Sequence, residues 1–367
     1  MISKEPIRIL QIVPNMQSGG LENFIMNIYR HVDRKKIQFD FLVHYQEEKF
    51  FDKEIEKLGG KIFRFSLRND NNILKYIKKL NAFYKNHPEY RVIHCHMSSI
   101  GFINFLIAKK NGIKVRIAHS HNSKTDKTLK GKVKRLLMLP YKYESTINYA
   151  CSNKAGKYLF GKKSYEVIPN AIEIEAFKYN KDLRKEIRKQ LNISDETVLL
   201  GHIGRFNIQK NHAFLLKIFK EIQLINKNTK LILIGDGELK NQIYKMAQQY
   251  DLNKNIIYTG TISNTFEYYN AMDAFLLPSL FEGLPVVGIE SQTNGLKCYF
   301  SSNITKEVSI SENTFFLKLD NPKCWAQKII ENKFDRTTKI NNEKYNIKKV
   351  AKNLQERYIG LYENAKQ

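Results

Sequence analysis

Cysteine and long apolar runs are both scarce in this chain of 367 residues. Its four cysteines have neither the paired spacing of a zinc site nor the pattern of a disulfide framework. Free cysteines favour a reducing, cytoplasmic environment. No run of about 18 apolar residues, the length that suggests a membrane-spanning helix, is present. The apolar run at residues 7–13 is too short for the core of a signal peptide, so we expect none.

Two motifs of nucleotide-using enzymes are also absent. There is no G-x-G-x-x-G run, which excludes the usual dinucleotide fingerprint. There is no D-x-D element, so we expect no metal ion and no other cofactor. Acidic residues are few: 36 Asp and Glu stand against 61 Lys and Arg, a net charge of +25. This balance indicates an anionic partner such as a phosphate, an anionic lipid or a nucleic acid.

Strand-like and helical patterns alternate along the chain, which predicts an α/β fold with parallel sheets and helical crossovers. The pattern restarts at VLLGHIGRF (198–206), after a polar segment at 171–196 without sheet periodicity. We therefore predict two Rossmann-like domains that face each other across a cleft, at residues 1–172 and 173–344. The helical tail at 345–367 is expected to pack back on the first domain.

Ligands of open α/β sheets bind beyond the carboxyl ends of the strands, so the strand ends are the places to search. Gly19 and Gly20 follow the first strand and let the backbone approach a phosphate or a sugar. A plain tight turn explains them equally well. Gly235 lies in a Gly-Asp-Gly turn, which fits either a nucleotide contact or an ordinary β-turn.

Two cations bracket a loop at the end of the strand that opens the second half. Arg205 and Lys210 lie just before a helix, where they are suited to clamp a diphosphate. The alternative is that both are solvated surface charges, as most Lys and Arg are.

Two carboxylates eight positions apart enclose an apolar turn in FEGLPVVGIE (281–290). Pro285 suits the first position of a helix. Backbone N–H groups from Leu284 onward would then form an anion site. Glu290 would accept hydrogen bonds from a ribose diol and Glu282 from a sugar, since carboxylates are acceptors only. Alternatively, they are an exposed loop residue and a residue of the first helical turn.

Four histidines lie at two predicted strand ends, in VIHCHMS and RIAHSHN. Strand alternation puts His94 with His96, and His119 with His121, on the same face. The four could suggest a metal site, but no carboxylate or cysteine spacing completes one. Packing inside the fold and a role in a cleft both remain open.

These motifs together resemble a bacterial family-4 retaining glycosyltransferase of the GT-B fold. The resemblance runs nearly end to end, through SGGLENFIMNI, VIPNAIEIEAF, GRFNIQKNH, LIGDGEL and LLPSLFEGLPVVGIESQTNGL. The E-x7-E element and the R-x4-K spacing are its most specific parts. Ala171 and the TNGLKCYFSS run depart from the common pattern, which bears on donor identity. More narrowly, the chain is similar to transferases that build capsular or exopolysaccharide units.

The resemblance implies a role for each charged residue at the predicted strand ends. Glu290 would hold the ribose of a nucleotide diphosphate sugar, most often a UDP-sugar. Glu282 would contact the donor sugar. Arg205 and Lys210 would neutralise the diphosphate leaving group.

The resemblance also implies which backbone and histidine groups take part. A histidine at the end of RIAHSH would lie beside the reacting carbon, and His121 is favoured over His119 because it closes the strand. The groups implied to line the donor site through their backbone are Gly19, Gly20, Gly235, Gly283 and Leu284.

A basic stretch at 124–142 contains seven Lys and Arg against one Asp, interleaved with Leu, Met and Tyr. It is either a solvated helix face or a peripheral contact with an anionic membrane, where the resemblance places a lipid-linked glycan acceptor. We therefore expect a cytoplasmic protein on the inner face of the cell membrane. Two rivals stand beside transfer: a sugar-nucleotide epimerase of similar fold, and a nucleic-acid-binding protein, for which no recognised motif is present.

Overall fold

The computed structural model of the protein describes residues 5–17, 19–65, 72–122, 129–262 and 264–365, and at 129–134 it describes the backbone only. The chain forms two compact units. Unit 1 is Met1–Ala171 with Ile347–Gln367, and unit 2 is Ile172–Asn346. Each unit has its own parallel sheet, as the alternating pattern predicts.

Unit 1 contains a seven-stranded sheet in the order β3-β2-β1-β4-β5-β6-β7. Its strands are β1 Ile7–Val13, β2 Ile37–Val43, β3 Ile62–Arg64, β4 Val92–Cys95, β5 Val115–Ser120, β6 Ile147–Ala150 and β7 Glu166–Val167. Its helices are α1 Gly20–His31, α2 Asp52–Lys57, α3 Ile73–Asn86, α4 Gly101–Lys110, α5 Leu129–Glu144, α6 Asn153–Phe160 and α14 Ile347–Asn364.

The sheet of unit 1 is covered on both faces, so its central strands are buried on both sides. One core layer lies under α1 and α14, where Phe24, Leu354 and Tyr358 are buried. The other layer lies under α3, α4 and α5, with Tyr76 and Tyr141 fully buried. Because α14 packs on this sheet, the last helix of the chain is part of the first unit.

Unit 2 contains a six-stranded sheet in the order β10-β9-β8-β11-β12-β13. Its strands are β8 Val198–Ile203, β9 Thr229–Ile234, β10 Ile256–Gly260, β11 Ala274–Leu277, β12 Lys297–Ser301 and β13 Thr314–Leu317. Its helices are α7 Ile174–Phe177, α8 Lys181–Gln190, α9 His212–Ile225, α10 Lys240–Gln249, α11 Thr265–Ala271, α12 Val286–Thr293 and α13 Pro322–Ile330. Short 3-10 turns lie at Asn253–Asn255, Lys306–Val308 and Glu343–Tyr345.

From Ile172 onward, the polar segment at 171–196 belongs to unit 2 and contains two helices, α7 and α8. Helix α8 is fixed there by Arg184 and Arg188, which both pair with Asp273, at 2.6 and 3.3 Å. Arg188 also donates to the carbonyl oxygen of Ala271, at 2.9 Å. Charge-assisted hydrogen bonds thus anchor this polar helix to the rest of unit 2.

Among the described residues, no helix has both the length and the apolar character needed to cross a membrane.

Candidate functional site

Two loops of unit 2 meet because the strands that precede them are neighbours. Strand β8 pairs with β11 in parallel, so the carboxyl ends of both strands lie side by side at the same end of the sheet. The loop at 204–211 joins β8 to α9, and the loop at 278–285 joins β11 to α12. A backbone hydrogen bond of 2.8 Å from Leu280 N to Gln209 O ties them together.

A buried ion pair holds these two loops. Lys210 Nζ donates to Glu282 Oε1 at 2.8 Å, and the two side chains are only 15% and 9% exposed. Gln209 Nε2 donates to Glu282 Oε2 at 2.9 Å and to the carbonyl oxygen of Phe281 at 3.0 Å. Glu282 is therefore neither an exposed loop residue nor an isolated charge.

Arg205 has a different environment from Lys210. Its Nε lies 3.2 Å from Glu238 Oε2, and the two side chains are 70% and 56% exposed. Exposed pairs of this kind hold their partners weakly. The guanidinium is therefore available to an anion that arrives from solvent.

Glu290 lies in α12 and is held by a buried tyrosine. Tyr269 Oη donates to Glu290 Oε2 at 2.8 Å. Burial raises the pKa of Glu290 to about 7, while the hydrogen bond from Tyr269 and the charge of Lys210 lower it. Glu290 therefore changes its charge near neutral pH. It lies close enough to Lys210 for the ammonium charge to influence its pKa.

Glycine is required where the β8 and β9 ends approach each other. Gly235 has φ of +138°, and a Cβ there would lie 2.3 Å from the carbonyl oxygen of Gly204. A Cβ on Gly204 would itself lie 3.0 Å from the Lys210 side chain. These close contacts are a sufficient reason for glycine at both positions. The predicted contact of Gly235 with a ligand stays a prediction.

The helix after the second loop begins one residue later than expected. Val286 is the first residue of α12, and Pro285 is its N-cap residue, with φ of −71° and ψ of 111°. Leu284 is buried, and Gly283 lies beside it in the loop. Their predicted backbone contacts with an anion stay predictions.

Sequence reasoning missed Gln209 and Tyr269, the residues that orient the two carboxylates. Gln209 lies within the loop that the motif analysis identified, yet nothing in its spacing shows that it faces Glu282. Tyr269 comes from α11, a helix that the sequence patterns did not predict. A contact between neighbouring elements, rather than any motif, connects it to Glu290.

In unit 1, Gly19 is the N-cap residue of α1 and Gly20 is its first residue. A Cβ on Gly19 would lie 2.5 Å from Glu22 Oε2, whereas a Cβ on Gly20 would meet nothing within 4 Å. A Cβ on Gly19 would thus meet only the end of the Glu22 side chain, and Gly20 has open space beside it. Their approach to a ligand stays a prediction.

The four histidines of unit 1 form one cluster at the ends of β4 and β5. The rings of His94 and His96 lie 4.3 Å apart, and those of His119 and His121 lie 4.1 Å apart, so each pair shares a face as alternation predicts. His119 is buried, whereas His121 is partly exposed. The exposed position makes His121 the better placed of the two to contact a ligand.

Three of these histidines have the spacing of a possible metal site. His94, His96 and His119 offer ring nitrogens within 4.8 Å of one another. Within the described part of the chain, no carboxylate or thiolate joins this group. The structure thus brings these ring nitrogens together, although the sequence has no metal-ligand spacing that predicts it.

The predicted basic stretch at 124–142 lies partly outside the described residues. Nothing is described at 123–128, and the side chains of 129–134 are not described either. From Arg135 onward, Leu136, Leu139 and Tyr143 are exposed on α5, at 66%, 46% and 64%. Their spacing of three and four residues places them on one face of the helix.

Comparison with known families divides the chain close to the boundary between the units. The family described as Glycosyltransferase Family 4 matches residues 18–176. The family described as Glycosyl transferases group 1 matches residues 184–350.

Several curated proteins are similar over most of the chain. Glycosyltransferase EpsF of Bacillus subtilis is 34% identical over 334 residues, which cover 88% of this chain and 86% of that protein. The capsular polysaccharide biosynthesis glycosyltransferase CapH of Staphylococcus aureus is 27% identical and covers 88% and 90%. The UDP-Gal:alpha-D-GlcNAc-diphosphoundecaprenol alpha-1,3-galactosyltransferase of Escherichia coli is 28% identical and covers 66% of each.

Solved structures share the fold at low identity. Anabaena HepE, in complex with UDP and glucose, superposes with a TM-score of 0.77 at 16% identity and covers 96% of this chain and 98% of that one. The lipopolysaccharide outer core galactosyltransferase WaaB superposes with a TM-score of 0.65 at 15% identity, over 98% and 100%.

The buried and the exposed ion pair of unit 2 should respond differently to loss of their cation. We expect Lys210→Met to lower the free energy of unfolding by about 3–5 kcal/mol, because it leaves Glu282 buried without a cation. Arg205→Met is the matched control and should cost about 0–1 kcal/mol. Urea unfolding followed by circular dichroism measures both. Equal effects of the two substitutions would contradict the assignment of a buried pair.

Proposed function

The chain belongs to the family-4 glycosyltransferases of the GT-B fold, of the capsular and exopolysaccharide type, and from this premise we propose that it moves a hexose from a UDP-sugar to a lipid-linked oligosaccharide with retention of configuration. The observation that carries the proposal is the arrangement of Glu282, Lys210 and Glu290 at one edge of the sheet of unit 2.

In this proposal the two carboxylates bind hydroxyl groups. Ionised Glu290 accepts two hydrogen bonds from the ribose diol, and Tyr269 holds the carboxylate in place. Glu282 accepts hydrogen bonds from the donor sugar while Lys210 and Gln209 orient it. Both carboxylates already have structural partners, which supports a binding role over attack on the sugar.

The diphosphate is the leaving group, and cations stabilise its growing charge. Arg205, which is exposed, and Lys210, which is fixed, supply positive charge beside it. The amino end of α12 adds the partial positive charge of a helix N-terminus. The diphosphate oxygen accepts the proton of the acceptor hydroxyl, so attack occurs on the face from which it departs. The new bond then keeps the configuration of the donor without a covalent glycosyl-enzyme.

We also propose that the reaction needs no metal ion, because protein cations can take the place of one beside the diphosphate. His121 would position the donor sugar, and Gly19 and Gly20 would contact the diphosphate. These roles follow the family pattern residue by residue.

The donor and acceptor classes are carried over from relatives. The Escherichia coli relative is named for UDP-Gal as donor, for an acceptor linked to diphosphoundecaprenol and for an alpha-1,3 linkage. A Campylobacter jejuni relative is likewise named for a diphospho-undecaprenol acceptor. We propose the same two classes for this chain. A sugar-nucleotide epimerase would bind a similar donor but would need no such acceptor.

We propose that α5 contacts the anionic inner face of the cell membrane, where such an acceptor lies. Leu136, Leu139 and Tyr143 form its exposed apolar face. The ammonium groups of Lys142 and Lys163 lie 5.4 and 4.4 Å from the Tyr143 ring centre. Apolar side chains flanked by cations suit the boundary between lipid tails and anionic headgroups.

The stereochemistry of the product tests the proposed reaction. Purified protein is incubated with UDP-hexoses and a diphosphoundecaprenol-linked acceptor, with and without EDTA, and the product is examined by NMR. We expect a longer lipid-linked product with an α-linked sugar, formed equally in EDTA. A β-glycoside would refute retention, and a new UDP-sugar without a lipid product would favour epimerisation. Activity that EDTA removes and Mg²⁺ restores would contradict metal independence.

Sedimentation with vesicles tests the membrane contact. Replacing Leu136, Leu139 and Tyr143 by Gln should lower the partition onto phosphatidylglycerol-containing vesicles by about tenfold or more, because apolar burial is lost. Leu224→Gln with Ile225→Gln, at exposed apolar positions of unit 2, is the control and should have no effect. Equal binding of the wild type to neutral and anionic vesicles would count against the contact.

A further inference from the structure

The contact that orients Glu290 joins two helices of unit 2. Tyr269 is fully buried on α11, and its hydroxyl donates to Glu290 Oε2 of α12 at 2.8 Å. The carbonyl oxygen of Val287, about one turn earlier in α12, lies 3.4 Å from the same hydroxyl. A small displacement of α11 along α12 would therefore move the hydrogen bond from the carboxylate to this carbonyl. The position of one helix against the other thus decides whether Glu290 keeps its donor.

The carboxyl end of α11 is capped by two arginines. The last carbonyl groups of any helix lack partners within that helix, and cations suit this end. Arg336 donates through Nη2 to the carbonyl oxygens of Tyr269, Asn270 and Met272, at 3.2, 2.9 and 2.7 Å. Arg184 donates through Nη1 to three carbonyl oxygens at the same end, at 3.1 to 3.2 Å. Both guanidinium groups thus fix where α11 ends.

Arg336 also contacts the carboxyl end of α12. Its Nη1 donates to the carbonyl oxygen of Asn294, the C-cap residue of α12, at 3.0 Å, and it also donates to Asn294 Oδ1. Asn294 Nδ2 in turn donates to Asn270 Oδ1 at 3.1 Å. Among the described residues, Arg184 has no hydrogen bond to α12. Arg336 therefore differs from Arg184, because it holds both helix ends with one rigid, planar group.

The segment that carries Arg336 reaches α12 because a glycine follows that helix. Gly295 has φ of +81°, the conformation that commonly ends a helix. A Cβ there would lie 2.6 Å from the carbonyl oxygen of Thr337 and 3.3 Å from the Cβ of Arg336. Thr337 N donates to the carbonyl oxygen of Gly295 at 3.0 Å. Any larger residue at 295 would thus push the arginine away from the helix end.

The charged and titratable groups near this contact come from several elements. Lys210, in the loop after β8, and Tyr269 lower the pKa of Glu290, which burial raises to about 7. Cys298 of β12 lies close enough to Tyr269 to influence its pKa, and burial raises the pKa of both groups. Tyr269 is therefore neutral and remains a donor. Arg336 stays charged at neutral pH, although burial lowers its pKa to about 10.

We propose that Arg336 is a positioning residue, which ties the carboxyl ends of α11 and α12 together and so keeps the Tyr269 hydroxyl hydrogen-bonded to the Glu290 carboxylate. The proposal deepens the proposed function and rests on it, since ionised Glu290 was assigned to the ribose diol. Arg336 contacts α12 one turn beyond Glu290 and acts through Tyr269. A carboxylate that loses this donor takes up a proton at higher pH and no longer accepts two hydroxyl groups.

Titration of Glu290 by NMR tests the positioning role, on the full-length protein with 13C-labelled glutamate and no ligand. Glu290→Gln identifies the signal. Tyr269→Phe should raise the midpoint of Glu290 by about 1–2 pH units, the value of a hydrogen bond to a charged group. Arg336→Lys should raise it by about half a unit or more, because one ammonium group cannot hold both helix ends. Arg336→Met should raise it at least as much, and the Lys variant serves if the Met variant does not fold.

Arg184→Met is the matched control, since Arg184 caps the same end of α11 without a hydrogen bond to α12. It should lower the thermal stability and leave the midpoint of Glu290 unchanged. In a Tyr269→Phe background, Arg336→Lys should cause no further shift, because the donor through which it acts is gone. An unchanged midpoint in both Arg336 variants, an equal shift in Arg184→Met, or an undiminished shift in the Tyr269→Phe background would overturn the proposal.

Calorimetry of UDP binding at pH 8 connects this contact to the proposed function. Affinity should fall by up to about tenfold in Tyr269→Phe, because a higher midpoint leaves less Glu290 ionised. It should fall by a smaller factor in Arg336→Lys and stay unchanged in Arg184→Met. The NMR titration needs neither nucleotide nor turnover. The expected midpoints without UDP binding, or without any change in affinity, would therefore count against the proposed function and not against the positioning role.

Discussion

The candidate donor site of unit 2 depends on the buried ion pair between Lys210 and Glu282. Neither charge could remain buried alone, because an unpaired buried ion is far more costly than a paired one. Their contact at 2.8 Å therefore fixes the loop after β8 against the loop after β11. Gly204 leaves the space that the Lys210 side chain occupies. The same ammonium group lowers the pKa of Glu290, which burial raises. One pair thus sets both the geometry and the charge of the site.

In unit 1, uncharged groups rather than an ion pair hold the polar side chains at the strand ends. Its polar cluster consists of neutral imidazoles, an amide and a phenol, which burial keeps neutral. In such a network, hydrogen bonds rather than ion pairs satisfy the polar groups. Each member donates and accepts only at defined atoms, so donors must face acceptors throughout. The two units therefore order their candidate ligand contacts in different ways. Unit 2 pairs a buried cation with a buried carboxylate, and unit 1 groups neutral polar side chains at its strand ends.

The sequence predicted the alternating α/β fold and the charged residues of the candidate site. It did not predict the side chains that contact those residues. Strands that are buried on both faces appear in the sequence as short apolar segments, so most strands of both sheets could be predicted. Strand β3, with three residues, was too short to recognise. Glu282 and Glu290 stand out by spacing. Gln209 and Tyr269 do not, because their importance arises from contacts between loops and helices that no local pattern records. Helix α8 was likewise missed, because most of its residues are charged and the segment therefore resembled a polar linker.

Calorimetry of UDP binding at pH 6 and pH 8 tests the central claim, that this edge of the unit 2 sheet binds a nucleotide diphosphate sugar. Because the pKa of Glu290 is raised to about 7, the ionised form gains population over this interval. Wild-type affinity for UDP should therefore rise with pH. Glu290→Ala should lose about 3–6 kcal/mol of binding free energy at pH 8, the value of two hydrogen bonds to a carboxylate, and should lose the pH dependence. A folded Glu290→Ala protein that binds UDP as tightly as the wild type would contradict the account.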